Sequence, residues 1–181
     1  VYVPKVGWVR IRQSRATDGI IKGATFKRSA AGKWFVTLTT EFEMPDVPLP
    51  SPDPALVVGV DAGLVSLITT DDGSKVAAPK HLRCAEKRLA RAQRDLSRKR
   101  KGSSNRAKAR LHVARLHEKV RNQRLDHLHK LTTRLIETAD AVCIEDLSLK
   151  GLARTKLAKR FHDAALGELR TQLAYKARWN R

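Results

Sequence analysis

The run VCIEDL (142–147) ends an apolar stretch on two adjacent carboxylates, Glu145 and Asp146, and LVVGVDAGLV (56–65) sets Asp61 inside another. An acid at the edge of a buried strand is costly unless it binds something. Carboxylate oxygens are hard donors, so the chemistry that fits is Mg²⁺ or Mn²⁺ rather than the softer metals that imidazole and thiolate take. Two or three such acids brought together can hold a pair of cations, which clamp a phosphodiester, lower the pKa of an attacking water and stabilise the leaving oxygen. The bland reading makes Asp61 a turn acid and Glu145–Asp146 a capping pair. Neighbours on a strand face opposite ways, so residue type alone leaves Glu145 and Asp146 equal candidates.

Other groups carry less chemistry. Asp71 and Asp72 sit in a DDG sequence and read as turn residues. His112, His117, His127 and His129 fall on a basic segment, and His127 and His129 are spaced so that they cannot share a helix face. They read as surface or phosphate-contacting groups, and no Ser-His-Asp arrangement emerges. Cys84 and Cys143 lack the paired spacing of a zinc site and read as small apolar residues, in keeping with a reducing cytoplasm.

The acids need elements to position them. Residues 7–13, 23–29 and 33–44 show the alternation and β-branched enrichment of strands, with a hairpin turn at 30–33. PDVPLPSPDP (45–54) holds five prolines in ten residues, which continues neither a sheet nor a helix and marks a boundary. Residues 1–47 are thus expected to form part of a small β-barrel, 48–54 a linker, and 55–181 a second domain. There, strands are expected at 55–63, 65–73 and near 75–78. From Lys80 the period changes: Leu82, Ala85, Leu89, Ala92 and Leu96 draw a narrow helical seam. KGSSN (101–105) breaks it, with Ser103 or Ser104 as N-cap. A second helix follows to about Thr138 through Val113, Leu116, Val120, Leu128, Leu131 and Leu135. The two should pack antiparallel. A fourth strand at 139–147 and a last helix near 156–179, with Leu157, Phe161, Ala165, Leu169, Leu173 and Trp179, complete the order. Three strands, a helical insertion, a strand and a helix is the order of an RNase-H-like α/β mixed sheet. In that layout the first and fourth strands are neighbours, which would bring Asp61 beside the acid of the fourth.

Charge points to the partner. The 181 residues carry a formal net charge of +19 with pI near 10.7, the balance of a polyanion binder. Between Lys80 and Arg134 there are 19 Lys and Arg against 4 Asp and Glu. A solvated helical surface usually mixes both signs, whereas one sign dominates here. Few aromatics interleave, so phosphate contact and duplex shape, not base stacking, is the expected mode. The candidates are Lys87, Arg88, Arg91, Arg94, Arg98, Lys99, Arg100, Lys101, Arg106, Lys108 and Arg110. No apolar run is long enough to span a membrane.

The segments VVGVDAGLVSLITTDDG, PKHLRCAEKRLARAQRDLSRKRKGSSNRAKAR, LHKLTTRLI, VCIEDLSLKGL and FHDAALGELRTQLAYKARW closely resemble the TnpB (insertion-sequence OrfB) family. Its members are RNA-guided nucleases related to compact type V CRISPR effectors, and the likeness covers nearly the whole chain. It implies that 1–47 are closing strands of a wedge domain and 55–181 most of a RuvC-like nuclease domain. It also implies that Asp61 and Glu145 are the first two catalytic, metal-holding carboxylates, with Asp146 a structural neighbour. Guide RNA and target DNA would be the partners, gripped by the basic helices while base pairing reads sequence. The setting would be a prokaryotic cytoplasm, at the nucleoid. The family pattern continues past YKARW into a zinc ribbon and a third catalytic aspartate, and Asp163 matches a different position. VYVPKVGWV, without a starting Met, reads as beginning mid-domain. The expectation is therefore a TnpB-like endonuclease weak or inactive alone; the alternative is a remnant that binds RNA or DNA without cutting.

Overall fold

The computed structural model describes residues 1–13, 16–43, 51–63, 66–145 and 165–179. They fall into two compact units, Val1–Val47 and Pro48–Arg181.

In the first unit, the β-branched and aromatic residues of IIKGATFKR and WFVTLTTE pair as antiparallel strands β3 (Ile20–Arg28) and β4 (Trp34–Glu41). The expected turn at 30–33 closes them: Ser29 N–H donates to Lys33 O at 2.8 Å and Gly32 N–H to Ser29 O at 3.0 Å. At the turn end the Arg28 guanidinium lies 5.9 Å from the centre of the Trp34 ring. Ahead of the hairpin, β1 (Tyr2–Val3) and β2 (Gly7–Trp8) form a separate two-residue pairing. The strand expected over 7–13 is therefore confined to its first two residues. Val9 still exchanges hydrogen bonds with Val1, at 2.8 and 3.0 Å, but residues 10–13 find no ladder among the described residues, and alternation without a partner does not make a strand.

In the second unit a four-stranded mixed sheet runs in the order β7-β6-β5-β8. A short 3-10 turn, Pro54–Leu56, enters it, capped by the Asp53 side chain. Apolar VVGVDA forms β5 (Val57–Ala62), antiparallel to β6 (Ser66–Thr70), which pairs with β7 (Lys75–Ala77). The seam beginning at Leu82 forms α1 (His81–Arg98), whose Leu89 and Ala92 are buried. Gly102, at φ +81, helps reverse the chain, and the Ser103 hydroxyl caps α2 (Ser104–Thr138) by accepting from Arg106 N–H. After α2 the chain returns as β8 (Ala141–Ile144), parallel to β5, and Leu166–Trp179 forms α3. The beginning of the helix expected over 156–179, with Leu157, Phe161 and Asp163, lies outside the described residues, as does Asp146.

The core joins one side of this sheet to two helices. Val60, Ala62, Leu67 and Ile68 pack with Leu128, Leu131 and Leu135 of α2 and with Leu166, Leu169 and Leu173 of α3. Leu67 and Ile68 are consecutive yet both buried, against simple alternation. A register shift between Ser66 and Ile68 accounts for it, since an extra residue in one strand turns two neighbours toward one side.

Candidate metal and nucleic-acid site

The burial pattern of β5 decides where Asp61 goes. Val60 and Ala62 are buried against the helices, while Asp61 between them is exposed on the opposite face. In β8, Val142 and Ile144 pack partly against the same core, whereas Cys143 is exposed, and Glu145 just after the strand is exposed too. The parallel register pairs Val57 with Ala141, Val58 with Val142, Gly59 with Cys143 and Val60 with Ile144. One step further, that register sets Asp61 beside Glu145 on the face away from the core. Neighbouring strands lie about 4.8 Å apart, within reach of two carboxylates for one another. Asp61 and Glu145 are 84 positions apart in sequence, and the parallel return of the chain after α2 makes the strands that lead to them neighbours.

Across the sheet this face is ordered in rows. The antiparallel register of β5 and β6 adds Thr69 to the Asp61–Glu145 row. The row below holds Asp71, Gly59 and Cys143. Asp71 N–H donates to Gly59 O at 3.1 Å, and Asp71 Oδ2 accepts from Gly59 N–H at 2.9 Å. The expectation that Asp71 is only a turn residue missed this contact. No local signal marks it, because the partner lies twelve residues away. Asp72 is the turn residue: its carboxylate takes the Thr70 hydroxyl at 2.6 Å and Ser74 N–H at 2.8 Å. Those bonds, the Thr70 one foremost, hold its pKa below the usual carboxylate value.

As donors, Asp61 and Glu145 suit a hard divalent cation, being exposed oxygen ligands on one face. Among the described residues no group of three or more His, Cys, Asp or Glu forms a metal-binding cluster, so the pair is joined by no third such ligand there.

The basic candidates lie on the α1–α2 hairpin. Lys87, Arg88, Arg91, Arg94, Arg98, Arg100, Lys101, Lys108 and Arg110 are exposed. Lys99 is half-buried and paired with Asp95 at 3.2 Å. Arg106 differs from the others. Its Nη1 donates to Leu96 O at 3.1 Å and to Lys99 O at 3.0 Å, closing the carbonyl end of α1.

Histidine enters in an unexpected way. His81, at the start of α1, meets His127 of α2 edge to face with ring centres 6.2 Å apart, and both Nε2 atoms are buried without a hydrogen-bond partner. Desolvation, then the neighbouring His81, push the His127 pKa below its ordinary value. His127 thus packs at the junction of α1 and α2.

Residues 38–156 match the family model described as "Probable transposase", that of insertion-sequence OrfB proteins. That match spans well over half of the chain and contains both Asp61 and Glu145. The chain belongs to the TnpB family. Among curated relatives, a Streptomyces pristinaespiralis protein named "Putative RNA-guided DNA endonuclease" is 49% identical over 156 residues, 86% of this chain and 38% of its own length. The Escherichia coli K12 protein named "Putative RNA-guided DNA endonuclease InsQ" is 36% identical over 195 residues, 99% of this chain and 48% of its own. A Mycobacterium tuberculosis relative of the same description is 37% identical over 134 residues. This TnpB-family chain spans less than half the length of each of them. Among its described residues no helix is long and apolar enough to cross a membrane.

Proposed function

We propose that this TnpB-family chain supplies the first two carboxylates and the phosphate-gripping helices of an RNA-guided DNA endonuclease. The observation that carries the reading is the register of β5 and β8, which pairs Val60 with Ile144, the residues just before Asp61 and Glu145. We read Pro48–Arg181 as an RNase-H-like, RuvC-type unit, supported by a sheet order in which the first strand is flanked by the second and by the strand after the helical hairpin. The strands of Val1–Val47 are read as part of a wedge-type barrel.

In this reading Asp61 and Glu145 would hold Mg²⁺ or Mn²⁺, whose chemistry is to acidify a water and stabilise the departing oxygen of a phosphodiester. The residues of the chain do the rest. Asp61 and Glu145 fix the cleavage position by where β5 and β8 place them. The exposed arginines and lysines of α1 and early α2 draw a guide RNA–DNA duplex by its phosphates, and pairing within the duplex selects the sequence. Such a protein would act in a prokaryotic cytoplasm, at the nucleoid.

The test is cleavage of labelled target DNA in Mg²⁺ or Mn²⁺ with a transposon-end guide RNA, using the chain and its Asp61→Ala and Glu145→Gln variants. Cutting that both substitutions abolish supports the endonuclease. A second reading, a module that binds RNA or DNA without cutting, draws on the absence of a third ligand beside the pair among the described residues. It is favoured if guide RNA binds tightly, the two variants bind equally well, and no cutting occurs. Cutting that survives both substitutions would sink the assignment of these acids.

A further inference from the structure

Asp71 lies in the row next to the acidic pair, and its bonding is unusual for the end of a hairpin. Its backbone N–H closes the expected ladder bond to Gly59 O at 3.1 Å. The reciprocal bond is made by its side chain: Gly59 N–H donates to Asp71 Oδ2 at 2.9 Å. The other oxygen, Oδ1, accepts from Asp72 N–H at 3.0 Å. Both carboxylate oxygens are thus engaged with backbone amides, one of them on the strand that carries Asp61 two positions further on.

We infer that Asp71 is a positioning residue for the candidate metal pair, clamping β5 at Gly59 so that Asp61 keeps its register beside Glu145. The inference rests on the reading of Asp61 and Glu145 as metal-holding carboxylates. Three observations converge on it. The clamp acts on both polar groups of Gly59, so it resists sliding as well as fraying. Asp61 follows with only Val60 between, and Val60 is buried in the core, so movement at Gly59 reaches Asp61 through a short, anchored link. On the other side, Gly59 pairs with Cys143, two residues before Glu145, so the same glycine sits between the clamp and both acids. A carboxylate already holding two amides is a poor candidate for a direct ligand, and its value lies in geometry. Groups that orient metal ligands from behind typically change metal affinity about 10- to 100-fold when removed.

The experiment is Mn²⁺ binding to the 181-residue chain, followed by loss of the free-ion electron paramagnetic resonance signal. Thermal unfolding is recorded alongside to show that each variant is folded. Asp61→Ala is the control that removes a ligand. Asp71→Ala removes the clamp, and Asp71→Asn keeps an oxygen that can accept from Gly59 N–H while discarding the charge. The expected result is Mn²⁺ binding by the unaltered chain, loss in Asp61→Ala, about 10-fold weakening in Asp71→Ala, and recovery to within about 3-fold in Asp71→Asn. A residue needed only for folding would lower the unfolding temperature without moving the affinity of the folded protein. Unchanged affinity in Asp71→Ala overturns the inference alone. Equal weakening in the alanine and asparagine variants also overturns it, because charge rather than the clamp would then be at work. If the unaltered chain binds no Mn²⁺ at millimolar concentration, the metal reading of Asp61 and Glu145 falls first and this inference with it.

Discussion

The hydroxyl of Thr132 lies 3.2 Å from Gln172 Oε1, joining α2 to α3 through two side chains that are both fully buried. The same hydroxyl reaches Leu128 O at 2.8 Å, and Gln172 Nε2 donates to Glu168 Oε1 at 3.1 Å. Lys176 completes the network, donating to His129 O and to the hydroxyls of Thr132 and Thr133. Its burial lowers its pKa from the ordinary lysine value. A polar network inside an otherwise aliphatic interface fixes which turn of α3 faces which turn of α2, because any slip leaves buried groups unpaired.

Gln172→Ala should therefore destabilise the second unit by about 2–4 kcal/mol, combining an emptied volume with an unsatisfied neighbour. Gln172→Leu, which fills the space and leaves Thr132 its bond to Leu128 O, should cost less. Urea unfolding of the two variants compares them directly; equal losses would mean that the emptied volume contributes little and the lost hydrogen bonds account for the cost.

The His81–His127 contact predicts a pH dependence. The folded pKa of His127 is lowered, so the unfolded chain takes up a proton first as pH falls. Stability from this pair is present above pH 6.5, the ordinary value, and is lost as pH drops from there toward the depressed folded pKa. The titratable groups that act on it are His81 from α1 and Asp126 and Lys130 from α2. Unfolding temperature measured between pH 7.5 and 5.5 should fall in the unaltered protein and fall less steeply in His127→Gln. A parallel decline in both would show that other groups are responsible.

The basic hairpin should divide into two kinds of arginine. Replacing exposed Arg91 or Arg94 by Gln should reduce the slope of log affinity against log salt by about 1 each for duplex RNA–DNA, with little change in stability. Arg106→Gln should leave that slope near its original value and cost about 1 kcal/mol of stability, because its guanidinium closes the end of α1 instead of facing a phosphate. Filter binding at several salt concentrations separates the two kinds.

Asp61 and Glu145, as like charges in neighbouring registers, should repel in the absence of metal. Asp61→Asn is expected to leave unfolding temperature unchanged or raised in chelator. Mg²⁺ at ten times its Kd should stabilise the unaltered chain by about 1.4 kcal/mol and the variant not at all. Calorimetry with and without Mg²⁺ reads the difference, and equal responses would argue against the pair as the binding site.

Much of the molecule was legible in its sequence. The 3–4 spacing of Leu82 to Leu96 gave α1 because a narrow apolar stripe can be buried only by a helix. Ser103 marked the start of α2 because its hydroxyl satisfies a free amide there. The wording around Asp61 and Glu145 carried the family likeness that the match over 38–156 bears out. Local pattern failed where the outcome depends on distant partners. Residues 9–13 alternate like a strand and are not one, Leu67 and Ile68 share a core through a register shift, and Arg106 and His127 turn toward the helix junction instead of solvent. Residue type and period fixed most of which segments are helix or strand, and that one carboxylate lies on a strand and another just past the end of one, since those depend on near neighbours. That β5, which carries Asp61, and β8, which leads into Glu145, are neighbours was decided only by the tertiary structure, in which β8 returns parallel to β5. Register is a property of two strands together, and neither strand encodes it alone.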